Sequence, residues 1–196
     1  MKAIFASRNP HKAEQVALLL PDVELIPLDA VAPDLVLEEP FDTFEANALA
    51  KARTVAEATG VLAIADDSGL EVDALGGAPG VFSARYAGED ATDADNNERL
   101  IAALQGMPSD RRTCRYRCVA VAVAPDGASI VASGSCEGVV IDDPRGDLGF
   151  GYDPHVVPEG ETRTMAEIPL EEKLGFSHRG RAFSALAERL KELGRA

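Results

Sequence analysis

An α/β protein built on a mixed β-sheet covered by helices is the fold this sequence predicts, and three observations carry the prediction. Short apolar, strand-like runs alternate with helix-length segments early in the chain. Thr43–Thr59 has the boundary signals of a helix at both ends. Two β-rich runs split by Pro125-Asp126-Gly127 come late. Alternating strands and helices favour a sheet with helices packed on it, and a late hairpin adds antiparallel strands. At 196 residues the chain suits a single domain, 1–196, with room for a sizeable core.

The elements follow in order. Lys2–Ala6 reads as a buried strand running into Asn9-Pro10, where Asn9 can cap a helix and Pro10 suits its first turn. Leu18, Leu19 and Leu20 finish that helix before Pro21, and Val23–Leu28 is a second strand. Thr43–Thr59 starts at Asp42 or Thr43 and stops before Gly60. Strands Val61–Ala65 and Leu70–Ala74 flank the acidic pair Asp66-Asp67. Thr92 opens a further helix, with Asp95 three residues on as a weaker capping box, and Gly106 ends it. Arg115–Ala124 and Ser129–Ile141 form the hairpin. The last helix runs from about Arg179 to Leu193, amphipathic through Phe183, Leu186, Leu190 and Leu193.

Composition excludes several function classes. The net charge of −14 argues against a nucleic acid polymer as partner, since such binding wants a basic face. A single nucleotide stays open, because a few cations and a metal can build a positive pocket locally. No apolar run approaches the roughly 20 residues of a membrane span. Met1-Lys2-Ala3-Ile4-Phe5 goes straight into a strand with no signal peptide, so a cytoplasmic address is expected. Three cysteines, Cys114, Cys118 and Cys136, form no zinc pattern and fit a reducing compartment as core thiols.

The most informative stretch is Ala65-Asp66-Asp67-Ser68-Gly69 after the apolar run Val61–Ile64. Adjacent carboxylates at the mouth of a buried strand are costly unless a cation answers them. The chemistry points to a Mg²⁺ site serving a nucleotide, with Asp67 as general base and Ser68 beside the ligand. The plainer alternative is a capped strand end, since Asp, Ser and Gly all form turns.

Five further segments have the chemistry of a nucleotide site. Ser7-Arg8-Asn9-Pro10-His11-Lys12 lies at a strand-to-helix junction, where free N–H groups and the helix dipole suit phosphate and Lys12 adds charge. An ordinary capped helix has the same look. Asn47 and Lys51, four apart, share a helix face behind Glu38-Glu39. One of those glutamates with Asp67 would suffice for Mg²⁺, which takes one or two carboxylates plus water and phosphates. The glycine-rich run Gly76–Gly80 leads to Arg85, a candidate phosphate contact. Gly149-Phe150-Gly151-Tyr152-Asp153 offers a ring with open faces for base stacking and a carboxylate for a ring N–H. Finally, Lys173 precedes Ser177-His178-Arg179-Gly180, which puts His178 and Arg179 at a helix N-terminus against the dipole. That local cost hints at a bound acceptor.

With these segments in order, the chain resembles the inosine triphosphate pyrophosphatase family over nearly its whole length. The resemblance implies an elongated mixed β-sheet flanked by helices, a substrate cleft between two lobes, and a homodimer. It implies Mg²⁺-dependent hydrolysis of non-standard purine nucleoside triphosphates (ITP, dITP, XTP) to monophosphate and pyrophosphate. By motif, Ser7–Lys12 hold the triphosphate; from the residues themselves, Lys51 and Arg85 are expected to add charge that neutralises it. Asp67 is proton acceptor and metal ligand, and Ser68 contacts substrate. Phe150, Gly151, Tyr152, Asp153, Lys173, His178 and Arg179 surround the base. Glu38 matches the second metal carboxylate by position, with Glu39 as its alternative. Arg8 stands where many members have Gly, and Pro40-Phe41-Asp42 departs from the usual Thr-Gly there. A pyrimidine-directed Maf-like pyrophosphatase and a non-catalytic nucleotide-binding module are the other readings.

Overall fold

The structure, a computed structural model, describes residues 1–193. Six strands form one sheet in the order β2-β1-β3-β4-β5-β6: β1 (Lys2–Phe5), β2 (Glu24–Pro27), β3 (Ala63–Val72), β4 (Thr113–Val123), β5 (Ser129–Val140) and β6 (Val156–Pro158). β1 pairs in parallel with β2 and β3, with Ile4 opposite Ile26 and Ala63, while β6 pairs antiparallel with β5. The sheet is therefore mixed, as expected. The helices are α1 (Pro10–Leu19), α2 (Leu28–Val31), α3 (Phe44–Thr59), α4 (Asp93–Ala103), α5 (Leu170–Leu174) and α6 (His178–Leu193).

Local chemistry sets the helix ends. Asn9 accepts from the Lys12 amide to cap α1, with Pro10 in its first turn. Thr43 caps α3 through the Ala46 amide, and Gly60 stops it in the left-handed conformation (φ 68°). Thr92 and Asp95 form a reciprocal capping box on α4.

The described chain divides into two compact units. The first comprises Met1–Asp67, Cys118–Gly134 and the segment from Arg179 onward. Its core packs Ala3, Phe5, Val16, Ile64, Cys118 and Ala120 with Phe183, Leu186 and Leu190 of α6. The side chain of Leu193, expected to continue that stripe, lies outside the described residues. The second unit comprises Ser68–Arg117 and Ser135–His178, around Leu70, Val72, Leu100, Tyr116, Cys136, Val140 and Met165.

The short elements α2, α5 and β6 were not expected, and the acidic pair does not sit between two strands: β3 runs unbroken from Ala63 to Val72 straight through Asp66-Asp67-Ser68-Gly69. Successive strand residues point to opposite faces, so each carboxylate finds its own partners and the chain has no need to turn. Tertiary contacts override the turn chemistry of Ser68 and Gly69.

Candidate active site

The first unit holds a carboxylate and cation cluster on β3. Asp66 is fully buried, and its Oδ2 takes Lys12 Nζ at 3.2 Å and Arg179 Nη2 and Nε at 3.1 and 3.3 Å. The Cys118 thiol lies 3.8 Å from the same oxygen, and burial pushes that thiol up to about 12, so it donates as a neutral group. Arg179 also donates to Gln15 Oε1 at 2.9 Å. Burial alone would raise the Asp66 pKa; the charges of Lys12, Arg179 and Lys51 outweigh it and hold the carboxyl well below its usual range.

Asp67 meets different neighbours. Asn47, with no exposed surface, donates Nδ2 to Asp67 Oδ2 at 3.1 Å, and Lys51 Nζ stands 3.9 Å from Asp67 Oδ1. Lys51 also donates to the Asp66 carbonyl at 2.8 Å and forms a short ion pair with Glu39. Burial, reinforced by the charge of Glu39, raises Asp67 to about 6 despite Lys51. Lys51 is raised in turn: its burial acts downward, but Glu39, Asp67 and Asp66 outweigh it. The four-residue spacing of Asn47 and Lys51 on α3 puts both side chains on one face, and both meet Asp67.

The glutamate brought to this cluster is Glu39, not Glu38. Glu38 is exposed, whereas Glu39 is half-buried on Lys51. The loop is pinned there by Asn47, which accepts from the Phe41 amide at 2.9 Å and donates to the Phe41 carbonyl at 3.1 Å. Among the described residues no three His, Cys, Asp or Glu side chains gather around a metal position. Two repelling hard-oxygen carboxylates, Glu39 and Asp67, match Mg²⁺, which completes its shell with water and phosphate.

The loop before α1 is built largely for itself. Ser7 Oγ accepts from the Asn9 amide at 3.2 Å. Arg8 pairs with Asp29 at 2.7 Å and donates to the Pro33 and Leu35 carbonyls, clasping the segment after α2. Pro10 and His11 are exposed on the first turn.

The second unit gathers the remaining candidates. Asp153 is buried; its Oδ2 accepts from Lys173 Nζ at 3.2 Å and its Oδ1 from the Tyr116 hydroxyl at 3.0 Å. The Tyr116 ring stacks on His178 with centroids 4.7 Å apart and planes 15° from parallel. Gly149 adopts φ +92°, and a Cβ there would lie 2.1 Å from Asp153 Oδ2 and 2.8 Å from Lys173 Nζ, so any other residue would be strained and would push those groups aside. The Tyr152 hydroxyl is spent on the Ser83 carbonyl at 2.8 Å, and Gly151 is held by Asp93 and Asn97. Phe150 is half-buried. Arg85 reaches Glu89 at 3.6 Å and lies over the Phe82 ring. Ser68 follows Asp67 on β3, half-buried.

Two participants lie outside the sequence expectations. Gln15 is three residues beyond Lys12 on α1, a spacing that signals a shared face. Tyr116 gave no signal beyond an aromatic in a strand. In the other direction, Arg179 meets Asp66 and Gln15, so the unfavourable helix-start charge has an internal answer.

The chain is 46% identical over 196 residues to a dITP/XTP pyrophosphatase of Desulforamulus reducens, covering 98% of this chain and 97% of that protein. It is 47% identical to a dITP/XTP pyrophosphatase of Shigella flexneri, covering 97% and 98% respectively. The solved Ham1 protein of Staphylococcus aureus superposes with a TM-score of 0.89 at 38% identity, covering 98% of this chain and 99% of that one. The Ham1 family profile matches residues 3–189, which takes in the β3 carboxylates, the Asp153 cluster and both their partners, and the chain belongs to the Ham1 family.

Proposed function

We propose that this chain hydrolyses non-standard purine nucleoside triphosphates, dITP, XTP and ITP, to the monophosphate and pyrophosphate. The observation that carries the chemistry is Asp67, a carboxyl raised to about 6 beside Glu39 and Lys51. A base poised near neutrality can hold a water and take its proton. The names of the 44–47% identical relatives support the substrate class.

Each residue then has a role. Glu39 and Asp67 would hold Mg²⁺, which supplies charge neutralisation for the phosphate oxygens when bound. Lys51 places its charge against both carboxylates and orients Asp67. Lys12, fixed by Asp66, presents positive charge to the triphosphate, with the loop from Ser7 beside it. Asp67 accepts the proton of the attacking water. The anhydride bond between the α- and β-phosphates breaks, and its electron pair leaves with pyrophosphate. Phosphoryl transfer asks for positioning and charge stabilisation more than covalent chemistry, and this set provides both.

Base selection falls to the second unit. Lys173 and His178 donate toward a 6-oxo group, and Asp153 accepts from a ring N–H. Adenine offers an amino donor where these groups expect an acceptor. A site that loses such a partner can reject a substrate by roughly 10⁴-fold. Arg179 acts through Asp66 in this scheme rather than on the base. The resemblance further supports a homodimer working in the cytoplasm; no helix among the described residues is long and apolar enough to cross a membrane.

The test is pyrophosphate release from ITP, XTP, dITP, ATP, GTP and the pyrimidine triphosphates, with Mg²⁺ and with EDTA. Metal-dependent release biased to ITP and XTP is expected. Preference for pyrimidine triphosphates, or binding without turnover, would overturn the proposal. Sedimentation of the same preparation tests the dimer.

A further inference from the structure

We infer that Tyr116 is a positioning residue for base recognition, holding Asp153 with its hydroxyl and His178 with its ring; this rests on the function proposed above. Three observations meet at this residue. Its hydroxyl donates to Asp153 Oδ1 at 3.0 Å, and the other carboxylate oxygen is taken by Lys173, so the carboxylate is held at both ends. Its ring lies nearly parallel to the His178 imidazole at 4.7 Å. It is itself 6% exposed within β4.

The chemistry follows from that arrangement. A buried carboxylate that loses a donor regains conformational freedom and a desolvation penalty together. On the other side Lys173 holds Oδ2, where a Cβ on Gly149 would crowd both groups, so the Tyr116 hydroxyl is the neutral donor that fixes Oδ1. The imidazole of His178 sits at the start of α6, where one aromatic face against it limits its rotation without consuming a ring nitrogen. Tyr116 therefore fixes the direction in which an acceptor and a donor face a purine edge, while itself remaining off the substrate. Phenylalanine at this position would keep the stack and lose the anchor; leucine would lose both.

The experiment compares Tyr116→Phe and Tyr116→Leu with the parent enzyme in steady-state pyrophosphate release from ITP, XTP and ATP, with thermal unfolding of each. For Tyr116→Phe the expected result is a rise in KM for ITP and XTP of about tenfold with kcat nearly unchanged, the scale of one hydrogen bond to a charged group. Tyr116→Leu should raise KM further and narrow the preference over ATP. A purely structural role would lower the unfolding temperature and the active fraction, hence kcat, and leave KM alone. Folded variants that keep the parental KM and preference overturn the assignment. A parent enzyme that is inactive on ITP and XTP overturns instead the functional reading, and this inference with it.

Discussion

Asp66 and Asp67 are consecutive residues of β3 whose carboxyl groups are driven in opposite directions. Asp66, fully buried, is held low because Lys12 and Arg179 share one of its oxygens. Asp67 is raised to about 6 because its burial and the nearby Glu39 outweigh Lys51 and Asn47. Alternation along the strand separates the two environments, leaving one carboxylate as a permanent anion and the other as a group that can take a proton.

Asp67→Asn should lower turnover by about 10²–10⁴-fold, the usual contribution of a general base, with the fold retained. Its effect on stability has the opposite sign. The folded value of about 6 lies above the unfolded 3.8, so the native state keeps a proton that the unfolded chain gives up. Wild-type stability therefore falls as pH rises from 3.8 to 6 and stays reduced above that. In EDTA the variant should outlast the parent by on the order of 2–3 kcal/mol at pH 8, with the gap shrinking toward pH 4.5. Unfolding curves at the two pH values decide it, and equal stability throughout would show that Asp67 is not strained in the free protein.

Asp66→Asn should do the reverse at neutral pH. It leaves Lys12 and Arg179 buried against a neutral amide, and breaking a buried ion pair from one side costs about 3–5 kcal/mol. The folded value lies below 3.8, so the wild-type contribution is intact above about pH 4 and is lost as pH falls further. Denaturant melts of both proteins at pH 7 and pH 3 should show a large gap at the first and a smaller one at the second.

Glu39→Gln and Glu38→Gln separate the two glutamates that the sequence left open. Removing a hard-oxygen ligand should raise the Mg²⁺ concentration for half-maximal activity by about tenfold or more. Glu38, exposed and off Lys51, should give a parental Mg²⁺ curve. Titrating Mg²⁺ into each variant gives the answer, and a shifted curve for Glu38→Gln alone would restore the original assignment.

What was legible in the sequence was whatever depends on near neighbours. Asn9-Pro10, Thr43 with Gly60, and Thr92 with Asp95 are caps whose partners lie within four residues, and each helix starts where those signals place it. The same locality explains why Asn47 and Lys51 were recognisable as a pair. The unbroken course of β3 was not, because the cations that make Asp66 tolerable come from α1 and α6, far away in the chain. Arg179 shows the same limit: its unfavourable place at a helix start was visible, but the acceptor that explains it is 113 residues away. The choice of Glu39 over Glu38 rests on an irregular loop with no periodicity to read, pinned by a side chain from α3.

Gly149→Ala tests how closely the second unit is built around Asp153. Two penalties combine at this position. A positive φ of +92° is unfavourable for any residue with a Cβ, and here that Cβ would lie 2.1 Å from Asp153 Oδ2 and 2.8 Å from Lys173 Nζ. Gly160 isolates the first penalty, since its φ is +83° and nothing lies within 4 Å of its Cβ position. Gly160→Ala should cost about 1 kcal/mol of stability and leave KM for ITP and XTP unchanged. Gly149→Ala should cost more, about 1–3 kcal/mol, and also raise KM for both substrates, because the carboxylate and the ammonium must move apart to admit a methyl group. Thermal melts and KM values for the two variants give four numbers. If Gly149→Ala lowered stability as expected but kept the parental KM, the Asp153–Lys173 pair would be a structural clasp of the 149–153 loop, and base recognition would have to be sought elsewhere in the second unit.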